Sequence, residues 1–299
     1  MTTNTEQLLW PSLPSTDSFC LNLPEALGNT AFDSAILEQP NTYVIPNEWQ
    51  TWVNSWKSML YANPGLALIR CQAAHNDEQL RKIYACISRA LGLLNDRYGY
   101  FFDVKDQGLD YTKSPIPVSK TNAETSFHTD STAKHYFPDI VGLLCIHPAA
   151  QGGDSLVTNA AGAYQDLSHR FPEHAASLSR PLFRDVITPG STYDEEAIRN
   201  NAFPIFSTDQ RGFHFRYMRY WVERAYEKLS IPLDQQVIEG MDAIDHYFHQ
   251  PENRIQFRME RGDMLFVNNR FLCHNRTAFT TSSPPRTLVR SWINWTDHA

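Results

Sequence analysis

The sequence predicts a mainly β fold with peripheral helices, arranged as two sheets packed face to face. The central and C-terminal parts of the chain break into short apolar runs of strand length, separated by turn residues. Helical periodicity is confined to a few stretches that fit around the ends of such a sandwich. A length of 299 residues, 42% of them hydrophobic and 20% charged, supplies one sizeable core. Nothing in the composition marks a linker, so a single domain is expected over residues 46–299.

Residues 1–45 are rich in Pro, Asn, Ser and Thr with weak periodicity, and are expected to form an arm laid on the surface. In residues 46–62, Trp49, Trp52, Val53, Trp56 and Leu60 recur at helical spacing and predict a core-facing helix. The run Leu66–Ile69 follows an Asn-Pro-Gly turn and reads as a strand. A helix over 76–92 is predicted from Leu80, Ile83, Tyr84, Ile87 and Leu91 on one side. Further helices are expected near 160–170, 219–229 and 234–249, and strands near 264–268 and 287–295. Residues 189–202 are polar and punctuated by Gly and Pro, which suggests a lid-like insertion.

A formal net charge of −7 without Lys/Arg runs gives no footprint for nucleic acid or an anionic membrane. An anionic ligand would have to be held by a few cations inside a pocket. The segment 212–229 interleaves aromatic and basic residues, but on an acidic chain it reads as a strand running into an amphipathic helix. Arg216 and Arg219 there are candidates for substrate contact near the pocket mouth, or equally for structural ion pairs. The five cysteines are scattered without a CxxC pair, so neither a disulfide framework nor a zinc knuckle is suggested. No basic start precedes an apolar stretch and no run is long enough to span a bilayer, so a cytoplasmic location is the default.

The most informative local feature is FHTDS, Phe127 to Ser131. On an extended segment the side chains at i and i+2 share a face, so His128 and Asp130 project together. An imidazole beside a carboxylate offers two ligands to a divalent cation. His274 in FLCHNR, close behind the predicted strand MLFVN, is the natural third. Two His and one carboxylate on one face of a metal leave its other positions open, as in non-haem Fe(II) oxygenases. An HxD tripeptide alone is a weak signal and better suits a structural or solvated His–Asp pair. Arg286 and Arg290 are four apart and share a strand face, where two guanidinium groups are costly to bury without anions. They read either as surface ion-pair partners or as a clamp for a carboxylate.

With these motifs in view, the chain resembles the taurine dioxygenase (TauD/TfdA) family, in the wider group that includes clavaminate synthase. Four ordered segments carry the resemblance: FHTDS, GGDSLVTNAAGAYQDLS at 152–168, GDMLFVNNRFLCHNR at 262–276 and RTLVR at 286–290. It implies a double-stranded β-helix (jelly roll) core, with His128, Asp130 and His274 as catalytic Fe(II) ligands. It also implies 2-oxoglutarate as co-substrate, its distal carboxylate held by Arg286 and by Ser155, where the family typically has Thr. Arg290 matches a position that contacts the substrate's anionic group in taurine dioxygenase, and Ser131 one where a backbone contact to substrate occurs. The implied reaction consumes O2, releases CO2 and succinate and oxidises a small-molecule substrate, with homodimers common in the family.

Because Asp130 is present, halogenation, which needs the carboxylate's position for chloride, is not expected. Hydroxylation is the default, while desaturation, epoxidation and cyclisation use the same ligands. The expected substrate is an amino acid or other small acid in specialised-metabolite biosynthesis. Two readings from other classes stay open: a zinc hydrolase using the same three ligands, and a silent jelly-roll binding protein. The first leaves Arg286 unexplained, and the second leaves an intact triad without a role.

Overall fold

The computed structural model describes residues 5–71, 75–105, 121–185, 194–280 and 283–296. A seven-stranded sheet runs in the order Cys20–Asn22, Leu66–Arg70, Met264–Asn268, Ile140–His147, Thr287–Asn294 and Leu93–Leu94, with Phe102–Lys105 also paired to Thr287–Asn294. Its pairs are antiparallel except the first, which is parallel. A second, antiparallel sheet of three strands runs Arg254–Phe257, Ser155–Asn159, Leu272–Arg276.

The large sheet is buried on both faces, and the period-2 alternation of its strands explains how. Leu66, Leu68, Leu265 and Val267 point into a core shared with Leu156, Val157 and Leu272 of the small sheet. Their neighbours Ala67, Ile69, Met264 and Phe266 point the other way, onto a second core with Trp49, Val53, Ile83 and Ile87. Each such Leu, Ile or Phe contributes roughly 1.5–3 kcal/mol by leaving water. The near-continuous apolar run MLFV is therefore a central strand covered on both sides.

The outer cover comes from the helices Asn47–Trp56 and Asp77–Leu91. Asn76 starts the second by accepting a hydrogen bond from the Gln79 N–H at 2.9 Å. On the opposite side of the molecule, Ala160–Arg170, Pro172–Leu178 and Gln235–His249 contribute Ala163, Leu167, Leu178, Ile244 and Phe248 to the first core.

Two expectations change, and a third falls partly outside the described residues. Among the described residues helix accounts for 38% against 24% strand, so the fold is mixed rather than mainly β. Two sheets packed across one core are consistent with a jelly roll, but its connections carry long helices. Residues 5–45 are more than a surface arm: Cys20–Asn22 extends the large sheet, and Leu8, Phe19, Leu23, Leu27 and Ile36 are buried. Their elements are only three or four residues long, too short for any period to be read. Of the expected lid at 189–202, residues 189–193 lie outside the described residues. Glu195–Asn200 is a short helix capped by Asp194, with Ile198 buried. Among the described residues no helix is long and apolar enough to cross a membrane.

Candidate metal and co-substrate site

His128 reaches its position through a single antiparallel bridge rather than a regular strand. Its N–H donates to the His274 carbonyl and the His274 N–H returns the bond, both at 2.9 Å. His274 lies on the strand Leu272–Arg276, so two imidazoles distant in sequence become cross-strand neighbours, with ring centroids 4.4 Å apart. The segment is bracketed by Ser126 at φ 59° and Ser131 at φ 75°, the left-handed region that non-glycine residues seldom occupy. Thr129 is tied to Tyr217 by its N–H and its hydroxyl. Asn269 holds the backbone of Asp130 from both sides, accepting from its N–H at 2.8 Å and donating to its carbonyl at 3.1 Å.

These ties converge three donor atoms. Asp130 Oδ1 lies 3.6 Å from His128 Nε2 and 3.5 Å from His274 Nε2. One ligand atom from each of the three residues falls within 4.8 Å of the others, the only such group of at least three His, Cys, Asp or Glu among the described residues. His128 Nδ1 is 2.8 Å from the Ser126 carbonyl, which fixes the tautomer that leaves Nε2 free to ligate. Burial, then the neighbouring His128, push the His274 imidazole down and keep it neutral. Burial would raise Asp130, but the Arg290 guanidinium and the two histidines beside it hold it well below the carboxylate range. Two imidazoles and one carboxylate fit a divalent transition metal.

The cavity in front of this group is lined by Ser155, Arg286 and Arg290, and walled by Leu143, Val157, Leu265 and Leu288. Arg286 is 5% exposed and its guanidinium lies 5.2 Å from the Phe279 ring centroid. It donates to the Gly153 carbonyl at 3.4 Å, and no carboxylate among the described residues pairs with it. Burial pushes its pKa down to about 10. A buried cation with no described counter-ion, in the same cavity as Ser155, fits the far carboxylate of a dicarboxylic acid. Arg290 also faces the cavity, with Nη1 3.1 Å from Asp130 Oδ2.

The other expected contacts lie elsewhere. Arg216 does not line the cavity; it donates to the Lys134 and Ala133 carbonyls at 3.1 and 2.7 Å, and stacks on Phe203. Arg219 pairs with Glu223, Asp242 and Asp245 at 2.6, 2.6 and 3.0 Å, joining two helices. Their ion-pair and framework alternative is the one the geometry favours. Ser131 accepts from the Ala133 N–H at 3.3 Å and shapes the turn after Asp130. Sequence reasoning did not single out Thr125, Asn275, Arg276 or Trp292. The first three line the cavity, and Trp292 donates to Asp130. The i, i+2 alternation that pairs Arg286 with Arg290 also runs on to Trp292 and could have found it.

Comparison with known proteins identifies the family. Residues 39–292 match the family described as taurine catabolism dioxygenase TauD, TfdA. An FR-33289 synthase of Streptomyces rubellomurinus is 28% identical over 181 residues, 58% of this chain and 51% of that protein. A uridine-5'-phosphate dioxygenase of a Streptomyces species is 31% identical over 187 residues, 60% and 64% of the two chains. The human gamma-butyrobetaine dioxygenase is 25% identical over 203 residues, 66% and 50% of the two chains. The matches thus span about half to two-thirds of these relatives. Among solved structures, an asparagine oxygenase with Fe(II), 3-hydroxyasparagine and succinate superimposes with a TM-score of 0.64 at 15% identity, over 92% and 93% of the chains. A non-haem iron oxygenase, OrfP, with Fe and alpha-ketoglutaric acid gives 0.61 at 15% identity, over 92% and 94%. Those two likenesses concern the fold.

Proposed function

The chain belongs to the taurine catabolism dioxygenase TauD, TfdA family, and on that premise we propose that it is an Fe(II)- and 2-oxoglutarate-dependent dioxygenase. It hydroxylates an unactivated C–H bond of an amino acid or similar small acid, in specialised-metabolite biosynthesis, with CO2 and succinate as co-products. The observation that carries this reading is the pairing, in one cavity, of a His–Asp–His donor set with a buried arginine that has no carboxylate partner among the described residues. A zinc hydrolase would need the first and leave the second without purpose.

His128, Asp130 and His274 would hold Fe(II), and Arg286 with Ser155 would hold the distal carboxylate of 2-oxoglutarate. Together the bound pair supplies the O2-dependent oxidising chemistry. The chain's own residues set the conditions for it. His128 offers Nε2 because its Nδ1 is engaged by the Ser126 carbonyl, and His274 stays neutral because it is buried. Arg286 orients the co-substrate by a charge-assisted contact whose strength grows in an apolar surround. Leu143, Val157, Leu265 and Leu288 exclude water from that contact. Arg290, at the same cavity, suits the anionic end of a small acid, and Ser131 begins the turn that would face it. The asparagine and butyrobetaine chemistry named for a neighbour and a relative supports an amino-acid-like substrate. No disulfide joins cysteines among the described residues, which suits a reducing cytoplasm.

The test is anaerobic titration of the apoprotein with Fe(II) and 2-oxoglutarate, followed by visible absorption. A weak charge-transfer band requiring both additions is expected, lost on admitting O2 with succinate released. Amino acids and small carboxylates are then screened by their acceleration of succinate release. The Asp130→Ala protein should show neither band nor turnover. No band in the wild type, with tight zinc retention instead, would overturn the reading in favour of hydrolysis.

A further inference from the structure

The strand that carries Arg290 brings one more group to the donor set. Trp292 lies two residues on, and its indole Nε1–H donates to Asp130 Oδ2 at 2.6 Å. Arg290 Nη1 approaches the same oxygen at 3.1 Å. The other oxygen, Oδ1, is the one that faces His128 and His274. The two carboxylate oxygens of Asp130 are therefore already divided: one is engaged by two donors, the other is turned toward the imidazoles.

The indole is held for this task from three sides. It is 8% exposed, so its N–H needs a protein acceptor, and Asp130 supplies one. The Tyr98 ring meets it at 5.4 Å and 80°, and the Arg290 guanidinium sits 4.9 Å from its ring centroid. An indole offers one donor along one direction, unlike a long flexible side chain. Asn269 fixes the backbone of Asp130 but not the rotation of its carboxylate.

We propose that Trp292 is a positioning residue for the metal carboxylate. Its N–H holds Oδ2 away from the metal, so that Asp130 ligates through Oδ1 alone and does not chelate. A carboxylate free to turn could offer both oxygens and occupy a position the co-substrate needs. This inference rests on the reading of His128, Asp130 and His274 as metal ligands.

The test uses Co(II) alone, added anaerobically to the wild-type apoprotein and to Trp292→Phe, Asp130→Ala and His128→Ala. Affinity is read by calorimetry and coordination by the Co(II) d–d absorption. Trp292→Phe keeps an aromatic ring against Tyr98 but loses the donor. It should weaken Co(II) binding about 10- to 100-fold, the usual effect of removing a partner of a ligand, and it should alter the d–d band. Loss of packing alone would lower the thermal midpoint and leave the band unchanged. Should Asp130→Ala and His128→Ala abolish binding while Trp292→Phe binds within twofold of wild type with the same spectrum, the role of Trp292 is refuted and the metal site stands. No Co(II) binding by the wild type would overturn both. If Trp292→Phe does not fold, the wild-type indole N–H resonance of Trp292 is followed as Zn(II) is added. A shift that saturates with the metal supports the contact, and an unmoved resonance at saturation overturns it.

Discussion

Replacing Arg286 by Gln separates binding from folding in a way few substitutions here can. The guanidinium is buried, its pKa is pushed down to about 10 by that burial, and no described carboxylate offsets its charge. In the absence of co-substrate it carries a desolvation cost that an incoming carboxylate would relieve. Losing a desolvated charge-assisted pair costs roughly 2–4 kcal/mol, which is about 30- to 1,000-fold in the dissociation constant of 2-oxoglutarate. The apoprotein should hardly notice, since the variant loses only a long bond to Gly153 and a stacking contact on Phe279. Its thermal midpoint should fall by no more than about 2–4 °C, the shift expected for a loss near 1 kcal/mol. The assay is anaerobic titration of 2-oxoglutarate into Fe(II)-loaded protein, with thermal melts of both proteins with and without co-substrate. Arg286→Lys should lie between the two, because it keeps the charge and loses the planar fork. A 2-oxoglutarate affinity within threefold of wild type in the Gln variant would refute the assignment. An equal loss of Fe(II) affinity would instead make Arg286 a support of the metal site.

Arg219→Ala removes a network joining two helices, with its side chain 28% exposed. It should cost about 1–2 kcal/mol in denaturant unfolding and leave the substrate KM unchanged; a tenfold rise in KM would return this arginine to the substrate. The His214 imidazole is pushed down to about 3, first by burial and then by Arg270 and Arg216. It is neutral when folded, so the stability it contributes is complete above pH 6.5 and is lost as pH falls from there toward 3. Each pH unit in that window costs about 1.4 kcal/mol. Denaturant midpoints between pH 7.5 and 5 should flatten in His214→Gln, and a variant that tracks the wild type would sink this account.

The parts legible in the sequence were those whose signal is local or periodic. The helix over Asp77–Leu91 and the central strand Met264–Asn268 follow from spacing alone, because one face or both faces must be apolar. The His128–Asp130 pair followed from period 2, although the structure supplies a single bridge between two left-handed serines rather than a strand. Arg286 and Arg290 do share a face, across a register shift between Thr287 and Leu288 that spacing could not reveal. What stayed hidden depends on contacts between distant segments. Arg216 reads like a substrate ligand, yet its donors meet backbone carbonyls of residues 133 and 134. The buried contributions of Leu8 and Phe19 could not be read either, because elements of three or four residues show no period.

The order of strands in the large sheet bears on how the chain is made. Met264–Asn268 and Thr287–Asn294 sit in the middle of that sheet, flanked by strands synthesised long before them. Until they leave the ribosome, Leu66–Arg70 and Ile140–His147 have no partner between them and expose apolar edges. Pairings across such separations are slow to form, and waiting edges are prone to stick to other chains. Synthesis must therefore pass residue 294 before this core can close. A ribosome stalled short of residue 264 would release a product suited to chaperones rather than to folding.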